Sequence, residues 1–298
     1  GNVVTVAVPT YTGLVGRNAV VEISNTLDSK VRVPVSQAGG VWYVKGDDAY
    51  GLSDEESTIT IPVKSDYDYT VDLPAWITGE KVKEGYNLTL AENTTGNARK
   101  GTVTFTSERG AKKIVFLQFG INDIAGTYEA TYSVYGDNDQ LVEETKTFKL
   151  VQDVKNEELF YAEELSAIGG LVIPLKFDSE TYQLSVFAGQ YLGHIASKEW
   201  YLYTVVTSKA GYVHADAALA YSAIAEFDLD DEVVMPSFPF KDEKGFSFAT
   251  SDGTIKSYLD GLEVYVFKSQ SPSFSGGNAL GYYDMFKNLS IKKVELKE

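Results

Sequence analysis

Apolar and polar residues alternate along much of this chain, beginning most clearly at 102–106. Val103 and Phe105 take turns with Thr102, Thr104 and Thr106, which places apolar groups on one face of an extended strand and hydroxyls on the other. Residues 107–110 (SERG) supply turn formers, and the apolar run 113–119 returns. This pattern predicts a β-hairpin.

The residues ahead of this hairpin continue the two-residue period. Short alternating runs lie between turn-forming residues, and their apolar members are Ile59, Ile61, Val63, Tyr67, Tyr69, Val71 and Leu73. Strands of this length separated by turns are typical of an all-β sandwich. Trp76 follows the inward-facing series, so we expect it in the sandwich core.

A related passage lies near the start of the sequence, at 5–39. Aligned with 91–120, it sets Arg17 over Arg99 and Gln37 over Gln118. The apolar residues Val21, Ile23, Val33 and Val35 then match Val103, Phe105, Ile114 and Phe116, and Thr12 matches Thr95. Two neighbouring segments are therefore predicted to share one hairpin plan.

The C-terminal part changes its turn spacing after a short boundary at 120–126. Its alternating runs centre on residues 128–134, 148–150, 171–177, 182–186, 200–206, 262–266 and 289–291. A closed antiparallel barrel would satisfy all strand edges, and a second sandwich is the alternative. Two segments, 215–225 and 254–260, interrupt the period, and we expect a short helix in at least one of them.

The composition supports a mainly β protein, and the net charge disfavours anionic partners. Among 298 residues there are 20 Tyr and 15 Phe, which favour strands. The net charge of −16 repels phosphate backbones and anionic headgroups, which argues against nucleic acid as a partner. No apolar run approaches the roughly 20 residues of a membrane-spanning helix. Because the sequence starts at Gly1, we expect that an N-terminal piece, with any export signal or lipid-bearing Cys, is missing from it.

Residues suited to catalysis are few. There is no Cys, and the two histidines, His194 and His214, lie outside any HExxH run and accompany no GxSxG elbow, so we interpret both as structural or solvent-exposed. The acidic runs 137–139 and 228–232 lack EF-hand spacing and are interpreted as solvated loops. The sequence thus predicts no catalytic residue, no metal site and no cofactor.

Aromatic residues beside polar ones are the remaining candidates for a site. Sugars stack apolar C–H faces on Trp and Tyr while their hydroxyls bond to polar side chains. The candidate ligand-binding residues are Tyr191, Trp200, Tyr203, Tyr282, Tyr283 and Asp284. The competing interpretation places these aromatics in the core or the girdle of the barrel.

The middle of the chain, 41–120, resembles a known family. It contains Tyr69-Thr70-Val71, Trp76-Ile77, Asn93-Thr94-Thr95-Gly96, Arg99, Gly101, Val103-Thr104-Phe105-Thr106-Ser107 and Gln118. These residues resemble a BACON domain (Bacteroidetes-associated carbohydrate-binding often N-terminal), an immunoglobulin-like module. Tyr69 stands where the family commonly has Trp. The resemblance implies a surface or secreted protein of a Gram-negative bacterium, usually a lipid-anchored outer-membrane lipoprotein, associated with glycan systems.

A second resemblance concerns the C-terminal unit. Its opening Gly126-Thr127-Tyr128 is similar to the start of lipocalin-like or calycin-like barrels. We therefore expect a partial BACON-like repeat at 1–39, a BACON sandwich at 40–120 and a β-barrel-like domain at 121–298.

The sequence leads to a non-enzymatic glycan-binding or adhesion protein, with polysaccharide or glycoprotein glycans as partners and the sandwich chiefly as a spacer. Two alternatives stay open. One is a structural component that contacts other envelope proteins. The other is a barrel that holds a small hydrophobic ligand beneath Tyr128, Tyr132 and Phe148.

Overall fold

The computed structural model describes residues 3–11, 13, 15–25 and 29–295. Within them the chain divides into two compact units, residues 1–92 with 101–117 and residues 93–100 with 118–298. Nearly every regular element is a strand, so the predicted mainly β fold is confirmed. Thr12, which was aligned with Thr95, lies outside the described residues. We find no described helix with the length and apolar character that crossing a bilayer requires.

Eleven strands lie among the described residues up to 118. They are β1 (Arg17–Ser24), β2 (Lys30–Gln37), β3 (Trp42–Val44), β4 (Ala49–Leu52), β5 (Ser57–Ile61), β6 (Val63–Ser65), β7 (Tyr69–Asp72), β8 (Ile77–Val82), β9 (Gly85–Leu90), β10 (Arg99–Ser107) and β11 (Gly110–Gln118). Strands β1 and β2 form a hairpin of their own. The others form a four-stranded sheet, β4-β11-β10-β7, a three-stranded sheet, β5-β9-β8, and the pair β3-β6.

The two larger sheets face each other across one core, as the alternating sequence predicts. Four of its buried residues come from the three-stranded sheet and four from hairpin β10–β11: Ile61, Ile77, Leu88, Leu90, Val103, Phe105, Ile114 and Phe116. Trp76 packs against this core. A side chain at Gly101 would collide with it, since a Cβ there would lie 2.8 Å from Trp76 Cζ2.

The remaining strands belong to the second unit. They are β12 (Gly126–Tyr135), β13 (Leu141–Gln152), β14 (Leu159–Glu163), β15 (Val172–Asp178), β16 (Gln183–Phe187), β17 (Tyr191–Ile195), β18 (Trp200–Ser208), β19 (Val213–His214), β20 (Ala220–Ile224), β21 (Ser237–Pro239), β22 (Phe246–Thr250), β23 (Gly253–Ser257), β24 (Leu259–Phe267) and β25 (Ala279–Lys293). A short 3₁₀ turn at Ile121–Asp123 precedes them.

Twelve of these strands form one antiparallel sheet that curls back on itself. Strand β12 pairs with β13 on one side and with β25 on the other. Strand β21 pairs with β25, and the amide of Lys241 donates to Ser222 O of β20 at 3.0 Å. Glu226 and Ser237 exchange two further backbone hydrogen bonds. The sheet is therefore barrel-like, which favours the barrel over a second sandwich.

Aromatic rings pack against one another in the interior of this curled sheet. Tyr128 lies with its ring centroid 5.9 Å from that of Phe148 and 6.4 Å from that of Phe238, and all three side chains are buried. The Tyr128 hydroxyl donates to Ile124 O. Tyr128, which the hydrophobic-ligand alternative places over a cavity, therefore packs against two other buried rings.

The expected short helix is wrong at both segments. Residues 220–224 form β20, where Tyr221 pairs with Val186 and Ala223 with Leu184, and residues 253–257 form β23. Alternation sends Tyr221 and Ala223 into the interior together. Because helix propensities differ by only about 0.7 kcal/mol per ordinary residue, this burial and the strand pairing outweigh them.

Candidate functional site

A cleft in the second unit contains half of the predicted ligand-binding residues. Its volume is about 220 Å³, and β12, β13, β25 and the segment 165–167 form its walls. The polar and aromatic side chains that line it include Tyr132, Glu144, Lys146, Tyr282, Tyr283 and Asp284. We call these six residues and the space between them the aromatic cleft.

A β-bulge in β25 exposes two consecutive tyrosines at this cleft. Across from β24, Asp284 pairs with Val264 and Tyr282 pairs with Tyr265, so Tyr283 is the extra residue. A bulge interrupts strict alternation and redirects side chains. Tyr282 and Tyr283 are accordingly 52% and 41% exposed, whereas neighbours in a regular strand point to opposite faces.

Hydrogen bonds with Asp284 and Lys146 hold the segment 165–167, which forms one wall of the cleft. Both carboxylate oxygens of Asp284 accept the amide of Ala167 at 3.2 Å, and Oδ2 also accepts the Ser166 hydroxyl at 2.5 Å. Lys146 Nζ donates to Leu165 O at 2.9 Å and to Ser166 O at 3.1 Å. Asp284 therefore positions the cleft wall, and its oxygens are already engaged.

On the opposite wall a tyrosine faces a carboxylate. Tyr132 lies directly across from Glu144 in the β12–β13 pairing, and its hydroxyl donates to Glu144 Oε2 at 3.4 Å. Burial, with the nearby Glu144 charge, raises the pKa of Tyr132. The phenol therefore stays protonated, and the exposed Glu144 carboxylate remains able to accept hydrogen bonds from a bound molecule.

Trp200 lies beside the aromatic cleft. Its ring meets Tyr283 edge-on with centroids 6.3 Å apart, and Lys198 Nζ lies 4.2 Å from the Trp200 ring centroid. Trp200 thus places a third aromatic side chain beside the cleft, in contact with Tyr283.

The other two predicted ligand-binding residues, Tyr191 and Tyr203, do not line the aromatic cleft. Tyr203 is buried in a second core with Val205 and Phe267, and its hydroxyl donates to Gln270 O at 2.7 Å. Tyr191 pairs with Tyr203 and is half exposed, with ring centroids 5.3 Å apart. Since Tyr203 is three residues from Trp200 along one strand, the two side chains point to opposite faces.

Sequence reasoning missed Tyr132, Glu144 and Lys146 as cleft residues. A signal for them was present, because the acidic run 137–139 was interpreted as a loop and counting outward from it sets Tyr132 opposite Glu144. The bulge at Tyr283 left no such signal.

Both histidines have packing partners. His194 stacks on Tyr201 at 4.3 Å between centroids, and His214 lies 3.3 Å from the Ser208 hydroxyl and edge-on to Phe248. Burial lowers the pKa of His214. Over the described part of the chain, no group of three or more His, Asp or Glu side chains is arranged to hold a metal ion.

Comparisons with known proteins give little. No family model matches the chain, and no curated protein matches it. Among solved structures it is similar to a Bacteroides ovatus GH5 xyloglucanase in complex with a XXXG heptasaccharide, with 15% identity and a TM-score of 0.24. That match covers 34% of this chain and 30% of the other, and a likeness so weak does not establish a shared fold.

Proposed function

We propose that this protein is a non-enzymatic carbohydrate-binding protein that holds glycans of a polysaccharide or glycoprotein in the aromatic cleft. The carrying observation is the bulge in β25, which exposes Tyr282 and Tyr283 side by side next to Trp200. Exposed aromatic rings offer stacking surfaces to sugar faces, and the Glu144 carboxylate and tyrosine hydroxyls offer hydrogen bonds. In this proposal the sandwich serves as a spacer.

We also propose that the protein is exported to the surface of a Gram-negative bacterium, as an outer-membrane lipoprotein or in secreted form. The support is the resemblance of residues 41–120 to a BACON domain. The charge of −16 agrees with partners other than nucleic acid.

Affinity electrophoresis on host and dietary polysaccharides tests the binding. We expect retention by at least one polysaccharide, and Tyr283→Ala and Trp200→Ala each to weaken it about tenfold through loss of a stacking ring. Tyr43→Ala removes an exposed tyrosine of the sandwich and is the matched control. Absence of retention on every polysaccharide, or equal losses in Tyr43→Ala and Tyr283→Ala, would contradict a site at the cleft.

The non-enzymatic part has its own test. The retained polysaccharide is incubated with the protein and new reducing ends are measured. We expect none above background; release that disappears in Glu144→Gln would show that the cleft is catalytic.

A further inference from the structure

Hairpin β1–β2 has one apolar face and one polar face. In its register Ala19, Val21 and Ile23 lie across from Val35, Val33 and Val31, so these six apolar side chains share one face. The other face carries Glu22, which forms ion pairs of 3.0 Å with both Lys30 and Arg32. Such a division is typical of a hairpin that covers a core.

The apolar face is open. A groove of about 350 Å³ lies between it and the segment 6–9, lined among others by Val6, Val8, Val21 and Val35. A hydrogen bond joins the segment to the hairpin, because Gln37 Nε2 donates to Pro9 O at 3.0 Å while Gln37 Oε1 accepts from Arg17 within the hairpin. Val33 on this face is 43% exposed.

Hairpin β10–β11, the second copy of this hairpin pattern, shows which strands cover such an apolar face. There Arg99 donates to Gln118 at 2.9 Å, as Arg17 does to Gln37, and Val103, Phe105, Ile114 and Phe116 are fully buried. These four side chains pack against the sheet β5-β9-β8, which covers them.

The segment before the first hairpin matches the middle strand of that sheet. Val6 and Val8 precede Arg17 by the same spacing at which Leu88 and Leu90 precede Arg99. Leu88 and Leu90 are 0% exposed in β9, which pairs with β5 and β8, whereas Val6 and Val8 are 48% and 47% exposed and lie in no strand. The first copy therefore has the equivalents of β9, β10 and β11 without those of β3 to β8.

We propose that residues 3–37 are the second half of a sandwich module, and that their apolar face is the docking surface for its first half. That first half is a set of strands built like β3 to β8, carried on the same polypeptide ahead of residue 3. In the second copy a tight turn joins β8 to β9, with Val82 paired to Gly85. A connection this short costs less loop-closure entropy than recruiting the strands from another molecule.

Hydrogen exchange tests the proposal directly. Residues 1–298 are compared with a chain extended by the residues encoded ahead of them. In the extended chain we expect amides of 17–37 to exchange about tenfold more slowly or better, as strands inside a sandwich do. Unchanged exchange in 17–37 would overturn the proposal.

Two measurements on residues 1–298 alone keep the test decisive if the extended chain folds poorly. Sedimentation should give a monomer that binds the dye ANS, which reports exposed apolar surface. The double variant Val21→Thr, Val33→Thr should lose about half of the ANS signal, while Val20→Thr on the opposite face should keep it. A dimer that protects 17–37 would assign the face to a second copy, and equal losses in both variants would show that it is not the docking surface.

Discussion

Hairpins β1–β2 and β10–β11 share a plan and differ in surroundings. Both alternate apolar and polar residues, and both join an Arg near the start of the first strand to a Gln at the end of the second, Arg17 to Gln37 and Arg99 to Gln118. In β10–β11 the apolar face is buried against another sheet, while in β1–β2 it borders an open groove.

The difference shows which features of a hairpin depend on its local sequence alone. The two-residue period and the turn are sufficient to specify a hairpin, whereas burial of its apolar face depends on strands far away in sequence. Because an isolated two-stranded hairpin is marginally stable at best, the same substitutions should have very different effects in the two copies.

The largest effect is expected at the aromatic core position. Phe105→Ala should destabilise the sandwich by about 3–5 kcal/mol, because it leaves a cavity among fully buried side chains and removes the edge-on contact with the partly buried Tyr86 ring. The matched Ile23→Ala should cost less than about 1 kcal/mol. Urea unfolding followed by Trp fluorescence measures both. Similar losses would mean that β1–β2 is covered after all.

The second unit should show a pH-dependent stability, set by Glu263, that neither hairpin shows. Glu263 is buried, and among the described residues its Oε2 has no hydrogen-bond partner. Burial raises the pKa of Glu263 to about 7 from its usual 4.5, although the Lys287 charge opposes the shift. The folded state therefore favours the protonated acid, and stability is lost as the pH rises from 4.5 through 7.

We expect Glu263→Gln to stabilise the second unit at pH 8 by up to about 3 kcal/mol and to change little at pH 4.5. Denaturant unfolding at the two pH values measures the difference. The neighbouring ion pair of Lys287 and Asp260, 2.9 Å apart, stays intact in this variant. An equal gain at both pH values would argue against titration of Glu263, and the sandwich transition should not move.

A smaller effect is expected where the two copies differ by one methyl group. Gly101 in β10 matches Ala19 in β1, and a Cβ at Gly101 would lie 2.6 Å from Pro74 Cγ. Gly101→Ala should destabilise the sandwich by about 1–3 kcal/mol through overpacking. The reverse change, Ala19→Gly, should cost no more than about 1 kcal/mol, through backbone entropy. Thermal unfolding of both variants gives the comparison, and a neutral Gly101→Ala would mean that Pro74 and Trp76 move aside readily.

The smallest effect concerns the shared hydrogen bond. Gln118 is fully buried, so Gln118→Ala should cost about 1–2 kcal/mol by depriving Arg99 of an acceptor. Gln37→Ala, which breaks the matching bond at a more exposed site, should cost less than about 0.5 kcal/mol. Equal values in urea titrations would indicate that burial does not set the strength of this contact.

Much of the fold was predictable because apolar residues recur at every second position along its main strands. The runs around Tyr128, Val103 and Leu262 alternate cleanly, and all became strands. Residues 220–224 were missed as a strand because Ala, Ser and Ile do not reveal a partner, and the pairing with β16 that decides their conformation involves residues far along the chain.

The candidate site was predictable only in part. Tyr282, Tyr283 and Asp284 are adjacent in sequence, and an aromatic pair beside an acid is visible to any reader. Trp200 meets Tyr283 only through the pairing β18-β24-β25 and its bulge, which no local pattern encodes. The Asp284 carboxylate, expected to bind ligand, is engaged by Ser166 and Ala167, a loop more than a hundred residues earlier.

The pairing of β12 with β25 also affects the order in which strands can pair during synthesis. Tyr128 lies opposite Lys293, so the first strand of the second unit pairs early with β13 but gains its other neighbour only once β25 has been made. The sandwich has all its strands once Gln118 emerges and can fold long before. During that interval one edge of β12 is unpaired, and an unpaired strand edge is a template for wrong pairing until β25 covers it.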